Sequence, residues 1–254
     1  MNCDYNIIGQ VSGKRSLEKR FETQYLLDEE PNYRVAKNEE TTIVVYEKMK
    51  ARFTKMRYGL VPFWYSTLKL FYSAPVEGEI TDSINTKNRM FLHPAFRRSI
   101  REKRCIIPAD YFIAYAEDEQ PYLVYLTSGR PFAIGAIYDT WKQHIHDESY
   151  TGYAVITMPA VPLLQQVGIK RMPFIIYPGT SHKWLNTNTQ LSDINGLLCQ
   201  YPEKDMNLFP LNKKSIDSGR NDKSIISPTG ETIRGEQVDI EKTFLEVKKR
   251  SFWF

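Results

Sequence analysis

The sequence predicts an α+β domain in which a mainly antiparallel sheet curves into an open barrel with helices on its outside. Three observations support this class. Segments rich in β-branched and aromatic residues follow one another closely in the middle of the chain. Segments with helical spacing of apolar residues lie before and between them, without the strict strand–helix alternation of a parallel sheet. Apolar residues make up 42% of the 254 residues and charged residues 25%, which is typical of a folded protein with a core.

Individual elements follow from local periodicity. Leu17, Phe21 and Tyr25 recur at intervals of four and predict an amphipathic helix. Arginines follow Pro94 and predict a short basic helix, whereas alternating or β-branched runs predict strands. The predicted helices are 16–30, 94–103, one starting within 159–166, 181–186 and 190–200; the predicted strands are 41–47, 52–60, 104–108, 111–116, 121–127, 131–138, 151–158, 172–177 and 208–212.

The chain shows no internal repeat, low-complexity tract or linker-like segment, so residues 1–254 are predicted to form one domain. Residues 239–254 begin with helical spacing and end in aromatic residues, and they predict a C-terminal helical tail.

The net charge and the cysteine content constrain the cellular compartment more than they constrain the function. The net charge of +4 permits a polyanionic partner but does not require one. Three cysteines are too few for a disulfide framework, which predicts a cytoplasmic protein. The first twenty residues contain no continuous apolar stretch, and the longest apolar runs are too short to cross a bilayer, so we expect neither a targeting segment nor membrane association.

Common catalytic motifs are absent from the sequence, including nucleotide-binding glycine loops and paired metal-binding cysteines. His144 and His146 have the spacing of a metal-binding pair, but their polar surroundings favour a solvated turn. Cys105 and Cys199 lie in apolar contexts that favour burial. The sequence therefore predicts neither a metal nor a cofactor.

Four ordered segments resemble the SOS-response-associated peptidase (SRAP) family, whose members are also called abasic-site processing proteins. Any one segment alone is weak evidence for the family, but the third and fourth segments occurring in this order are specific to it. The resemblance spans about residues 3–230, and a weaker similarity includes residues 218–222. The four segments are Tyr58-Gly59-Leu60-Val61-Pro62-Phe63-Trp64, Ile84-Asn85-Thr86-Lys87 followed by Pro94-Ala95-Phe96-Arg97, Arg104-Cys105-Ile106-Ile107-Pro108-Ala109-Asp110-Tyr111-Phe112, and Ile169-Lys170-Arg171-Met172-Pro173.

This resemblance implies a covalent chemistry. In the family, an N-terminal cysteine condenses through its free amine and its thiol with the aldehyde of an abasic site in single-stranded DNA. The resulting thiazolidine crosslink shields the lesion, and the same apparatus is held to cleave a leader peptide in some members. An asparagine orients the reactants, while a glutamate and a histidine transfer protons.

This chain departs from that reactive set at most positions. Asn85 matches the family asparagine, but Cys3 lies behind Met1 and Asn2, so its amide nitrogen cannot form an imine while they remain. Ala114 occupies the glutamate position and Ile169 the histidine position, and neither side chain transfers protons. We therefore expect the crosslinking and peptidase activities to be impaired or lost. Simpler roles for Cys3 and Asn85 are a partly buried thiol and a turn-stabilising amide.

The DNA-facing positions are better preserved. The resemblance implies DNA contacts for Lys87 and Arg171 and an aromatic wall that includes Trp64. The dense positive charge of the following segment adds Arg97 and Arg98 as candidates for binding phosphate. A solvated basic helix is an equally good explanation for the arginine-rich segment, whose residues 97, 98, 101 and 104 share one flank of a helix. Core packing is the alternative for Trp64 or Tyr65.

Three functions remain open on the sequence. The first is a SRAP protein that binds single-stranded or abasic DNA in a DNA-damage or SOS response but has impaired chemistry. The second is an abasic-site lyase that forms a Schiff base through Lys170 or Lys87. The third is a non-catalytic interaction module that has kept only the scaffold.

Overall fold

A computed structural model describes residues 7–47, 50–77, 89–142, 149–237 and 240. The strands are β1 (Ile7–Gln10), β2 (Asn32–Val35), β3 (Glu40–Glu47), β4 (Lys50–Tyr58), β5 (Ser73–Pro75), β6 (Arg104–Ala109), β7 (Tyr111–Tyr115), β8 (Pro121–Leu126), β9 (Phe132–Lys142), β10 (Ser149–Pro159), β11 (Arg171–Pro173), β12 (Ile175–Ile176), β13 (Met206–Pro210) and β14 (Ile233–Arg234). The α-helices are α1 (Lys14–Phe21), α2 (Ser99–Glu102), α3 (Pro162–Gln165), α4 (Ser181–Leu185), α5 (Leu191–Leu197) and α6 (Lys213–Asp217), with 3₁₀ turns at Arg89–Phe91, Glu203–Asp205 and Lys223–Ile226.

Five strands form a barrel in the order β10-β4-β3-β6-β9. The predicted barrel is confirmed, but it is closed, because β9 pairs with β10 and β10 pairs in parallel with β4. The closure depends on a small residue, since a Cβ atom added to Gly152 would lie 2.0 Å from the carbonyl oxygen of Gly59. The parallel pair therefore joins two strands that are far apart in the sequence and that local patterns do not connect.

A second sheet has the order β14-β13-β8-β7-β1-β2, and its strands pair antiparallel. The strands β6 and β7 are separated only by Asp110, so the chain passes directly from the barrel into this sheet. Asp110 fixes the crossing because its carboxylate accepts hydrogen bonds from the backbone N–H groups of Val11 and Ser12, at 2.7 and 2.8 Å. The barrel and the start of the second sheet are thereby held together beside β1.

Side chains of β7 alternate between two apolar clusters. Phe112 and Ala114 belong to the large cluster that fills the barrel and its surroundings, whereas Tyr111 and Ile113 belong to a smaller cluster on the other face. This alternation is the two-residue period of a β-strand. The large cluster is hereafter called the core.

Most predicted strands are confirmed, but two helices are shorter than predicted. The helix predicted at 16–30 ends at Phe21, because Glu22 adopts a left-handed conformation (φ 51°) and Tyr25 instead packs edge-on against the Phe53 ring, 4.8 Å between centroids. The basic helix predicted at 94–103 is regular only over 99–102.

The strand predicted at 172–177 is two short strands, because Phe174 bonds to both neighbouring strands of the barrel. Its N–H group donates to Ile156 and its carbonyl oxygen accepts from Gly135. The predicted tail at 239–254 and the His144–His146 loop lie outside the described residues, apart from Ile240. No helix in the described part of the chain is long and apolar enough to cross a membrane.

Candidate functional site

The nine site residues taken from the sequence divide into three groups. Cys3, Asn85 and Lys87 lie outside the described residues. Ala114 and Ile169 are buried, and the remaining four are on or near the surface. These four are Trp64, Arg97, Arg98 and Arg171.

Ala114 and Ile169 lie in the same apolar core. Ala114 is 3% exposed on β7, and Ile169 is 1% exposed in the segment that follows α3. That segment runs along the end of β7, because the N–H group of Glu117 donates to the carbonyl oxygen of Gly168 at 3.1 Å. The positions matched to the family glutamate and histidine are therefore apolar, buried and part of one packed region.

Ile8 is a third member of this region that the sequence did not single out. It is fully buried on β1, where it pairs with Phe112 in the antiparallel ladder. Because alternate residues of β7 face the core, Ile8 lies on the same face as Ala114 and one diagonal step from it. We call Ile8, Ala114 and Ile169 the apolar face. Only the strand register reveals Ile8, and an isoleucine in an apolar strand carries no functional signal in the sequence.

The apolar face has no group that could move a proton. Cys105 belongs to the same core, but complete burial raises the pKa of its thiol well above the usual value, so the thiolate nucleophile is not available there. Cys199 is exposed. In the described part of the chain, no three His, Cys, Asp or Glu side chains are grouped so that they could hold a metal ion.

Arg171 forms an ion pair inside the protein. Its Nη2 atom lies 2.9 Å from Oε2 of Glu77 and donates a hydrogen bond to Oγ1 of Thr157 at 3.1 Å. The two charged side chains are 19% and 16% exposed. This arrangement ties β11 to the segment after β5. Sequence reasoning missed Glu77, because it lies 94 residues from Arg171.

Phe63, Trp64 and Arg97 are exposed, and the half-buried Arg98, whose Nε atom is ion-paired with Glu102 at 3.0 Å, lies over the Phe63 ring. Phe63 and Trp64 are 44% and 48% exposed, which is unusual for aromatic side chains. The guanidinium carbon of Arg98 lies 4.2 Å from the centroid of the Phe63 ring, close enough for a cation–π interaction. Arg97 is exposed beside Arg98. We call Phe63, Trp64, Arg97 and Arg98 the aromatic–basic surface.

Buried polar contacts hold the loop that carries these rings. The N–H group of Phe63 donates to the carboxylate of Asp139 at 2.9 Å, and Nζ of Lys103 lies 2.6 Å from the same carboxylate. The indole N–H of Trp141 donates to the carbonyl oxygen of Tyr65 at 2.7 Å. The exposed rings are therefore presented by an anchored loop, and Tyr65, which is half-buried beneath Trp64, supplies the packing.

Arg104 does not belong to this surface, although sequence spacing placed it on the flank of Arg97 and Arg98. It begins β6, is 3% exposed and donates hydrogen bonds to four backbone carbonyl groups. Burial lowers its pKa to about 10. Its role is to close the end of α2 and to hold α4 against the barrel.

Lys170 was the accessible candidate for Schiff-base chemistry. Its side chain is 72% exposed and its ammonium group is ion-paired with Glu117. A lysine nucleophile is activated by desolvation or by a neighbouring cation, and a side chain this exposed is not desolvated.

Comparison with known proteins identifies the fold and the family. The family model for the SOS response associated peptidase (SRAP) matches residues 9–216. The chain belongs to the SRAP family. The matched segment of this SRAP chain starts after Cys3 and Ile8, and it includes Ala114, Ile169 and the aromatic–basic surface.

Curated relatives support this membership. The chain is 29% identical over 197 residues to the abasic site processing protein YoaM of Bacillus subtilis, covering 76% of this chain and 82% of that one. It is 28% identical over 196 residues to the abasic site processing protein YoqW of Bacillus phage SPbeta, with 75% and 83% covered.

A crystal structure of a protein from Bacteroides thetaiotaomicron has the same fold, with a TM-score of 0.71 and 20% sequence identity over 89% of this chain and 100% of that one. The similarity extends over most of the SRAP chain, so the closed barrel and the second sheet belong to one shared fold.

Proposed function

We propose that this SRAP protein binds single-stranded DNA at abasic sites without forming a stable covalent crosslink, as part of a response to DNA damage. Two of its relatives are named abasic site processing proteins, which supports abasic DNA as the partner. The observation that carries the proposal is the apolar face. Ala114 and Ile169 are packed in the core where the family resemblance requires proton-transferring side chains.

The aromatic–basic surface supports the DNA-binding half of the proposal. Exposed aromatic rings stack on unpaired bases, and each such contact contributes about 1–3 kcal/mol to binding. Arg97 can neutralise a backbone phosphate, whereas Arg98 would have to exchange Glu102 for one. The rings of this surface are anchored from below, so little conformational freedom is lost when a strand binds.

The loss of covalent chemistry follows from the missing reagents. A thiazolidine needs an amine and a thiol on adjacent carbon atoms of one residue, and Cys3 has only the thiol while Met1 and Asn2 precede it. Proton transfer by a positioned side chain typically contributes about 10²–10⁴-fold to a rate. With Ala114 and Ile169 in the proton-transferring positions, the peptidase activity of the family is expected to be lost by the same argument.

The proposed location is the cytoplasm. Cys105 is buried and Cys199 is exposed, and neither forms a disulfide within the described residues. An exposed thiol is best preserved in a reducing compartment.

The test compares two abasic oligonucleotides of the same sequence. One carries a natural abasic site, which opens to an aldehyde, and the other carries a tetrahydrofuran analogue, which cannot. We expect equal affinities in fluorescence anisotropy and no product that survives heating in detergent. A heat-stable product formed with the aldehyde alone would contradict the proposal. A product trapped by borohydride and lost in Lys87→Ala would instead favour the lysine chemistry.

A further inference from the structure

Asp139 lies near the end of β9, beneath the loop that carries Phe63 and Trp64. Its side chain is only 2% exposed, so it offers no surface to a DNA strand. A buried carboxylate is costly unless it is paired and fully hydrogen-bonded. The partners of Asp139 therefore indicate what the carboxylate does.

Both oxygen atoms of this carboxylate accept hydrogen bonds. Oδ2 accepts one from the backbone N–H group of Phe63 at 2.9 Å. Oδ1 accepts one from the ammonium group of Lys103 at 2.6 Å and one from the backbone N–H group of Thr140 at 2.8 Å. Lys103 compensates the charge and Thr140 fixes the orientation of the carboxylate, so that Oδ2 is directed at the loop.

Trp141 holds the same loop at a second point. It lies two residues after Asp139 on β9, and alternate residues of a strand face the same side. Its indole N–H group donates to the carbonyl oxygen of Tyr65 at 2.7 Å. The two side chains therefore fix the loop at Phe63 and at Tyr65, on either side of the exposed Trp64.

The carboxylate of Asp139 also connects the rings with the arginines of the aromatic–basic surface. Its partner Lys103 directly follows α2, and Arg98 directly precedes that helix. The N–H group of Tyr138 donates to the carbonyl oxygen of Lys103 at 2.9 Å, which attaches the end of the helix to β9. The guanidinium carbon of Arg98 in turn lies 4.2 Å from the centroid of the Phe63 ring. These contacts form a closed circuit that sets the spacing between rings and arginines.

We propose that Asp139 is the positioning residue of the aromatic–basic surface, and that it holds Phe63 and Trp64 in the orientation in which a single strand meets them. The inference rests on the proposed function. An asparagine would not serve, because an amide replaces one acceptor oxygen by a donor group. That donor would face either the N–H group of Phe63 or the ammonium group of Lys103.

The test measures the affinity of the full-length chain for single-stranded oligothymidine by fluorescence anisotropy. We expect Asp139→Asn to weaken binding by about two- to tenfold, because rings that are no longer held in place must be ordered when the strand binds. In a chain that carries Phe63→Ala and Trp64→Ala, the same substitution should have almost no effect. Equal losses with and without the rings would overturn the inference, because a purely structural role does not depend on the rings.

The matched control is Asp110→Asn. Asp110 also accepts hydrogen bonds from two backbone N–H groups, at 2.7 and 2.8 Å. It follows Ala109, which pairs with Phe132 at the start of β9, whereas Asp139 lies near the other end of that strand. We expect Asp110→Asn to lower stability and to leave the affinity for oligothymidine unchanged. The same loss of affinity in both variants would contradict a specific role of Asp139.

Trp141→Phe provides a milder variant if Asp139→Asn does not fold. It keeps an aromatic ring in the buried position but removes the N–H group that holds Tyr65. We expect a smaller loss of affinity than in Asp139→Asn, which again disappears when Phe63 and Trp64 are replaced by alanine. A loss that persists without the rings would count against the inference.

Hydrogen exchange of the free protein separates this inference from the proposed function. In Asp139→Asn, the amides of residues 62–66 should exchange faster, while those of β3 and β6 keep the wild-type rates. Unchanged exchange in the loop would overturn the inference, whether or not the chain binds DNA. Faster exchange in a chain whose wild type binds no single strand would support the holding of the loop by Asp139 and overturn the proposed function. Wild-type affinity in Asp139→Asn would overturn the inference alone.

Discussion

The apolar face and the aromatic–basic surface differ in how much of their apolar side chains is exposed to solvent. The apolar face resembles an ordinary packed core, since Ile8, Ala114 and Ile169 are all at most 3% exposed. The aromatic–basic surface leaves nearly half of two large rings exposed to solvent beside arginines, so the burial of these rings contributes only part of what a core aromatic would. Packing alone accounts for the first region, whereas it accounts for only part of the second. The comparison fits the proposal of a protein that keeps a binding surface without the reactive groups of its family.

The largest expected effect comes from putting a carboxylate back into the apolar face. Ala114→Glu would place a charge in the core without a partner, and we expect the free energy of unfolding to fall by about 3–5 kcal/mol at pH 7. Burial raises the pKa of such a glutamate above its unfolded value of about 4.3. The part of the loss that is due to charge should therefore be absent below about pH 4 and grow as the pH rises, whereas the cost of overpacking the core is the same at every pH. Chemical denaturation at several pH values measures it.

The control is Ala51→Glu, at a half-buried position of β4. Its effect should be smaller and nearly independent of pH. Equal stability of Ala114→Glu and the wild type would mean that the apolar face still tolerates the family carboxylate, which would break the comparison.

The second effect concerns Arg171, which the sequence assigned to DNA. Because Arg171 is paired with Glu77 and largely buried, Arg171→Met should lower the free energy of unfolding by about 2 kcal/mol, less than for a fully buried pair. Its DNA affinity should keep the wild-type salt dependence. A reduced salt slope with unchanged stability would return Arg171 to the DNA interface.

The third effect is on binding by the exposed rings. Trp64→Ala should weaken binding of single-stranded DNA by about 1–2 kcal/mol because stacking is removed, with little change in stability. Leu26→Ala removes an apolar side chain that is 76% exposed and serves as the control. Fluorescence anisotropy at fixed salt measures both. If Trp64→Ala and Leu26→Ala bind single-stranded DNA with the same affinity, the Trp64 ring does not stack on a base.

The smallest expected effect is on salt dependence. Arg97→Met should reduce the slope of log affinity against log salt by about 0.7 for each phosphate of a single strand that the arginine no longer neutralises. Arg130→Met, at an exposed turn, should leave the slope unchanged. An unaltered slope in Arg97→Met would favour a solvated arginine over one that binds phosphate.

Much of the fold could be predicted because strands have a local signal. The alternation in 41–47 and 52–60 predicts β3 and β4 within two residues of their observed ends. The closure of the barrel could not be predicted, because it depends on pairing Gly152 with Arg57 across nearly a hundred residues. The early end of α1 also depends on tertiary contacts, which outweigh a regular helical spacing.

The site could be predicted only at positions where the type of amino acid alone decides what chemistry is possible. Alanine and isoleucine transfer no protons wherever they lie, so Ala114 and Ile169 could be interpreted from the sequence. The roles of Arg104 and Arg171 could not be predicted. The sequence does not distinguish an arginine on the surface from one that is bonded to buried carbonyl or carboxylate groups.

The most direct test of the central claim is the yield of heat-stable crosslink between this chain and single-stranded DNA with a natural abasic site. The intact mass of the same sample shows whether Met1 and Asn2 are present. With both present, we expect no crosslink, and we expect one only in a chain that begins at Cys3 and carries Ala114→Glu and Ile169→His. A heat-stable crosslink from the unaltered chain that Cys3→Ala abolishes would contradict the account.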